Sequence, residues 1–186
     1  MKSYDYAYRD GFIPITWDRF AELCRALAEG LAEQGVRAVV GIARPGLFPA
    51  TQVALHLRTE LYPVRVTRRV ADVVTHAHPV WKVPVSPEVA GKIVAVVDEI
   101  ADTGESLALV AEAVRAAGAA RVITATLASH TWAAPRPDLC PLVSDALVLW
   151  PWDQRVLIGG AWTAHPELVG AAAAQGIALP PGWMVV

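Results

Sequence analysis

The chain has 186 residues, a formal net charge of −2 and 54% apolar residues, enough length for one domain with a sizeable core. The near-balanced charge gives no chain-wide support for binding nucleic acid, and no apolar run reaches the roughly 20 residues that cross a bilayer. The opening Met1-Lys2-Ser3-Tyr4-Asp5 has no apolar signal core, so a cytoplasmic protein is expected. Cys24 and Cys140 lack metal-ligand spacing and read as reduced core thiols.

Residues 17–34 read as an amphipathic helix, with Thr16 at the N-cap and Phe20, Leu23, Leu27 and Leu31 at helical spacing. Residues 36–42 are a short apolar run bounded by glycines, which suits a buried parallel strand. The turn Ala43-Arg44-Pro45-Gly46 follows, then a helix over 48–58 and an alternating strand over 61–67. The basic residues Arg65, Arg68 and Arg69 lie where this strand ends; such a run is either a solvated face or a phosphate partner. Between 68 and 91 the periodicity breaks at His76, His78, Pro79, Pro84 and Pro87. A long hairpin or mobile loop, of the kind that serves as a lid, is expected there.

Residues 92–97 are the clearest buried strand, and a helix over 106–117 is closed by Gly118. Further strands are expected over 121–127 and 145–149, the second leading into Trp150-Pro151-Trp152-Asp153. The remainder, rich in Ala, Gly and Pro, holds a short helix near 167–174 and an apolar tail suited to a small hood or an oligomer contact. Strands and helices alternating in this way make an α/β fold with a doubly wound, mostly parallel sheet. A single domain over 1–186 is expected, with its core at about 13–153 and a C-terminal extension over 154–186.

The stretch between the strand at 92–97 and the helix after it carries chemistry. Asp98 and Glu99 follow an apolar strand, and Asp102-Thr103-Gly104-Glu105-Ser106 turns into a helix. Ligands of open α/β sheets sit at the carboxyl ends of strands. A helix N-terminus there favours an anion, Thr103 and Ser106 add hydroxyls, and Gly104 lets the backbone approach a phosphate. A plain capped helix, with Asp102 or Thr103 as the cap, explains the turn. It leaves the cost of two adjacent carboxylates on an apolar strand unexplained.

This stretch resembles the phosphoribosyl diphosphate (PRPP) motif of type I phosphoribosyltransferases. The resemblance runs over about 13–153 and is strongest to bacterial and archaeal purine enzymes acting on hypoxanthine, guanine or xanthine. Ile15-Thr16-Trp17-Asp18, the segment from Val40 through Arg44-Pro45-Gly46 to Pro49, and Trp150-Pro151-Trp152-Asp153 add to it. The resemblance implies a Mg²⁺-dependent enzyme that joins a purine to PRPP, with a small hood, a lid over 68–91 and a homo-oligomeric state. It implies that Asp98 and Glu99 bind the ribose hydroxyls, directly or through Mg²⁺, with Glu99 and Asp153 as metal ligands. Thr103, Gly104, Glu105 and Ser106 would hold the 5′-phosphate, and Arg44, Pro45 and Gly46 the pyrophosphate. Asp102 would face purine N7, making Asp98, Glu99 and Asp102 the catalytic set. Leu147, Val148 and Asp153 would meet the base, with Trp150 and Trp152 nearby.

Two departures stand out. Pro45 occupies a usual glycine position; it removes an N–H and makes a cis Arg44–Pro45 bond less costly. The lysine that usually follows the next strand is absent from Leu127-Ala128-Ser129-His130-Thr131-Trp132. His130 or Ser129 must then donate to a 6-oxopurine, unless His130 is a histidine at the surface end of the strand. His56, His76, His78 and His165 read as structural or solvent-facing. An enzyme for another base, such as a pyrimidine, and a PRPP-sensing regulator without turnover are the rivals.

Overall fold

The computed structural model describes residues 9–70 and 73–183. In chain order the strands and helices are β1 (Phe12–Pro14), α1 (Trp17–Glu33), β2 (Ala38–Ile42), α2 (Leu47–Leu57), β3 (Glu60–Thr67), β4 (Arg69–Val70), β5 (Val73–Val74) and β6 (Val80–Val83). They continue with β7 (Ile93–Ala101), α3 (Glu105–Ala116), β8 (Arg121–Ser129), β9 (Leu142–Val143), β10 (Leu147–Leu149), β11 (Arg155–Ile158), β12 (Ala161–Ala164) and α4 (Pro166–Gln175).

The chain divides into two compact units: Ala21–Ser144, and a smaller one joining residues up to Phe20 to those from Asp145 onward. The expected boundary at 154 therefore moves. The reason is pairing: β1 runs parallel to β10, Phe12 opposite Leu147, so the N-terminal segment belongs with the C-terminal one.

The larger unit is built on a six-stranded sheet in the order β6-β3-β2-β7-β8-β9. All its pairings are parallel except β3 with β6. Every residue of β2 is buried, as are Val94, Ala95, Val96 and Val97 of β7. Strands covered on both faces need such unbroken apolar runs. Leu107, Val110, Ala111 and Val114 of α3 pack with Val40, Val64 and Val96 into one core. They recur at helical spacing, so one stripe of the helix meets the sheet. On α1 the hydroxyl of Thr16 accepts the Arg19 N–H at 3.1 Å, the expected N-cap. Cys24 on this helix is buried and free, its thiol pushed up to about 12 by burial. Cys140 is also free but only half-buried, its Sγ 3.2 Å from the Leu142 carbonyl.

Two strand assignments change. Residues 147–149 pair with β1 rather than joining the central sheet, whose last strand is the short β9. More important, β7 does not end at Val97 but runs on to Ala101. Its pairing with β2 stops at Val97, while pairing with β8 continues to Ala101 opposite Ser129. Asp98 and Glu99 thus sit on a strand that is laddered on one side and has outrun its neighbour on the other.

The segment over 68–91 contains a hairpin: β6 returns antiparallel to β3, and β4 pairs with β5 farther out. Residues 71 and 72 of the expected lid lie outside the described residues. In the smaller unit Leu149, Leu168, Ala172, Leu179 and Trp183 form a separate core. A hairpin not anticipated from sequence, β11 with β12, turns through Gly159 and Gly160, both at positive φ. No helix among the described residues is long and apolar enough to cross a membrane.

Candidate functional site

The site of the larger unit lies at the carboxyl ends of β2, β7 and β8. After β2 the turn 43–46 enters α2, with the Leu47 N–H bonded to the Arg44 carbonyl at 3.1 Å. Gly46 is packed so closely that a Cβ there would collide with the Asp98 carboxylate and the Ile42 carbonyl. Glycine at 46 therefore serves the fit between this turn and β7. The cis peptide of the turn joins Ala43 to Arg44, one bond before the Arg44–Pro45 bond that proline makes less costly in the cis form.

Asp98 and Glu99 are half-buried in the stretch of β7 beyond β2. The Glu99 N–H donates to Asp98 Oδ1 at 3.0 Å, while Glu99 Oε2 is buried with no hydrogen-bond partner. Burial raises the Asp98 carboxyl above its ordinary range, with bonds to Glu99 partly offsetting it. Burial, and then the charge of Asp98, push Glu99 well above the usual value. A buried carboxylate oxygen left without a donor is costly unless something binds it. Two adjacent carboxylates of this kind suit a hard cation or a pair of hydroxyl groups. Among the described residues no group of three His, Cys, Asp or Glu side chains could hold a metal. Asp98 and Glu99 offer carboxylate oxygens, the donor type that Mg²⁺ takes, commonly alongside oxygens of substrate and water.

Residues 102–106 form the loop into α3. Gly104 is the N-cap, at φ +86°, with no side chain to bond the first turn. The plain capped-helix reading put Asp102 or Thr103 there; instead Thr103 Oγ1 accepts the Glu105 N–H at a long 3.4 Å. A glycine-opened helix end offers its N–H groups to an anion. Behind the loop lies a wall that sequence reasoning missed, the backbone of Ala134 and Pro135. The Ala134 N–H donates to the Thr103 carbonyl at 3.0 Å, and a Cβ on Gly104 would strike the Pro135 carbonyl at 2.5 Å. His78, on the hairpin arm, lies 4.0 Å from the Glu105 carboxylate at the start of α3.

His130 does not lie at the surface. It is 2% exposed, its ring stacked on Trp132 at 4.4 Å. Nδ1 lies 2.6 Å from the Ser144 carbonyl, and Nε2 lies 3.9 Å from Asp102 Oδ1. Both ring nitrogens thus lie near protein groups. The Ser129 hydroxyl is also buried and donates to the His130 carbonyl at 3.2 Å.

Leu147, Val148 and Asp153 belong to the smaller unit. Val148 is buried on β10, Leu147 is half-buried beside it, and the Asp153 N–H donates to the Trp150 carbonyl at 3.0 Å. Trp150 stacks on Trp152 at 5.2 Å, and Trp152 also meets Trp17 and Phe20. Trp17 and Trp162 are exposed. His165 caps α4 by accepting the Glu167 N–H at 3.3 Å, a structural role as expected.

A mostly parallel sheet with a turn, a carboxylate pair and a glycine-opened helix at one edge defines a doubly wound α/β domain. The chain belongs to the phosphoribosyl transferase domain family, whose model matches residues 16–157. It is 30% identical over 155 residues to a xanthine-guanine phosphoribosyltransferase of Nitratidesulfovibrio vulgaris strain Hildenborough, covering 80% of this chain and 88% of the relative. Among solved structures, a purine phosphoribosyltransferase of Pyrococcus horikoshii superposes with a TM-score of 0.68 at 29% identity, over 76% of this chain and 93% of that one. A Helicobacter pylori xanthine-guanine-hypoxanthine phosphoribosyltransferase shares the fold, with a TM-score of 0.59 at 19% identity over 76% of this chain and 91% of that one.

Proposed function

We propose that this phosphoribosyltransferase transfers the 5-phosphoribosyl group of PRPP to a 6-oxopurine and releases pyrophosphate. The observation that carries the reading is the pair Asp98–Glu99, with one buried oxygen unpartnered, beside a loop opened by Gly104. An anion-binding turn and a hydroxyl- or cation-binding pair at one sheet edge match the two ends of a ribose 5-phosphate. The purine is proposed from the relatives' names and identities.

Displacing pyrophosphate from C1′ leaves positive charge on the ribose ring and negative charge on the departing group. Asp98 and Glu99 stabilise the first when ionised, and Arg44 in the 43–46 turn is proposed to meet the second. Asp98 and Glu99 would hold Mg²⁺, which would supply positive charge against the phosphates. The helix end at Gly104 and the hydroxyls of Thr103 and Ser106 orient the 5′-phosphate. The hairpin arm over 68–91 is proposed to close over the ligands and exclude water. Leu147, Val148 and Asp153 are proposed for base recognition on the family resemblance alone.

Pyrophosphate release measured with PRPP, Mg²⁺ and a panel of bases tests the reading. Release with hypoxanthine, guanine or xanthine is expected, and much less with adenine or pyrimidines. Preference for a pyrimidine would move the enzyme to another base. Tight PRPP binding without release on any base would make the protein a sensor.

A further inference from the structure

We infer that His130 is a positioning residue for Asp102 and receives, through it, the proton that the incoming base loses. This rests on the purine reading above. The register of β7 with β8 sets Ala101 opposite Ser129, so Asp102 and His130 leave adjacent parallel strands side by side. The His130 N–H donates to the Ala101 carbonyl at 3.2 Å, fixing the backbone there. On the ring, Nδ1 lies 2.6 Å from the Ser144 carbonyl. A carbonyl can only accept, so Nδ1 carries hydrogen and the neutral ring presents a lone pair at Nε2. That atom lies 3.9 Å from Asp102 Oδ1. Stacking on Trp132 and 2% exposure hold the ring in this one orientation. Asp102, by contrast, is 28% exposed at the site. The carboxylate can reach a ligand while its partner cannot.

A neutral 6-oxopurine bearing hydrogen on N7 must lose that proton as N9 bonds to C1′. The C1′–oxygen bond breaks and its electron pair leaves with pyrophosphate. The N7 proton passes to Asp102 and from there to Nε2 of His130, leaving a carboxylate beside an imidazolium. After nucleotide leaves, the proton returns through Asp102 to water. Histidine thus lets Asp102 take up the proton without itself remaining a neutral acid.

The test compares His130→Ala and His130→Gln with the wild type. Each variant is first shown to keep its thermal shift with PRPP, so that a folding defect is seen as such. Glutamine fills much of the same space and keeps a polar amide beside Asp102, but it cannot take a proton. Both variants should lose kcat by about 10²-fold, at the low end for removal of a general acid–base group, with KM for PRPP within about twofold of the wild type. Glutamine should restore base affinity relative to alanine. The inhibition constant of 7-deazahypoxanthine, which has carbon in place of N7, should be the same in wild type and His130→Ala, while hypoxanthine binds the variant more weakly. A wild-type kcat in either folded variant overturns the inference. So does equal weakening of hypoxanthine and its 7-deaza analogue, which would put His130 at another edge of the base. If the wild type turns over no purine, it is the underlying reading that fails.

Discussion

At the scale of single residues, Asp98 and Glu99 tie stability to pH. Burial raises both carboxyls, Glu99 the more strongly. Folded values above the unfolded ones mean that the native state binds more protons. Their contribution to stability is therefore full below the ordinary carboxylate range and is lost as pH rises through the raised values. In the absence of ligand, Asp98→Asn with Glu99→Gln should flatten that loss. The melting temperature of the double variant at pH 8 should exceed the wild type's by about 2–4 °C, the response of a chain this size to about 1 kcal/mol. A double variant that melts with the same pH profile as the wild type contradicts the assignment of strain to this pair. Gly104 makes a second case. An L-residue at its left-handed φ costs about 1–2 kcal/mol, and a methyl group would also press on Pro135. Gly104→Ala should lower the melting temperature by several degrees and weaken binding of ribose 5-phosphate at least about tenfold, measured by calorimetry. Unchanged affinity would detach the loop from phosphate binding.

At the scale of elements, the sequence made most of the larger unit legible because its strands are apolar runs and its helices carry one apolar stripe. The helices over 17–34, 48–58 and 106–117 each lie within a residue or so of the observed bounds. What pattern could not reveal was where a strand stops when charge interrupts it. Asp98 and Glu99 read as the end of a strand, yet β7 continues through them because β8 still pairs on one side. Nor could spacing tell that 147–149 ladders with 12–14 instead of the sheet, since a short apolar run fits either place. The Gly159-Gly160 turn between RVLI and AWTA was a readable hairpin signal that went unused. For the site, the loop into α3 was legible from one glycine between a strand and a helix. The placement of His130 was not, because it depends on the β7–β8 register and on the Ser144 carbonyl, neither of which periodicity supplies. The hairpin arm over 68–91 yields a prediction at this scale. Among the described residues its outer ladder, β4 with β5, joins two residues on each strand. Limited proteolysis should cut within 68–91 in the free protein and slow markedly once PRPP and a base are both present. Equal cutting in both states would leave the arm without a closing role.

At the scale of the whole molecule, ligand binding and folding are linked. PRPP binds the native state, so with Mg²⁺ at 100 times its Kd it should add about 2.7 kcal/mol to stability. Chelating the metal should remove much of that shift if Glu99 holds Mg²⁺ beside the ligand, while the shift with ribose 5-phosphate should be less sensitive to chelation. The measurement that tests the central claim most directly is nucleotide synthesis, followed by chromatography of the products from PRPP, Mg²⁺ and hypoxanthine, guanine or xanthine. It should be run on the wild type and on the Asp98→Asn, Glu99→Gln double variant together. The account predicts a nucleoside 5′-monophosphate and an equal amount of pyrophosphate from the wild type, and neither from the folded double variant. A folded wild type that binds PRPP yet forms no nucleotide, or a double variant that forms it at the wild-type rate, would contradict the account.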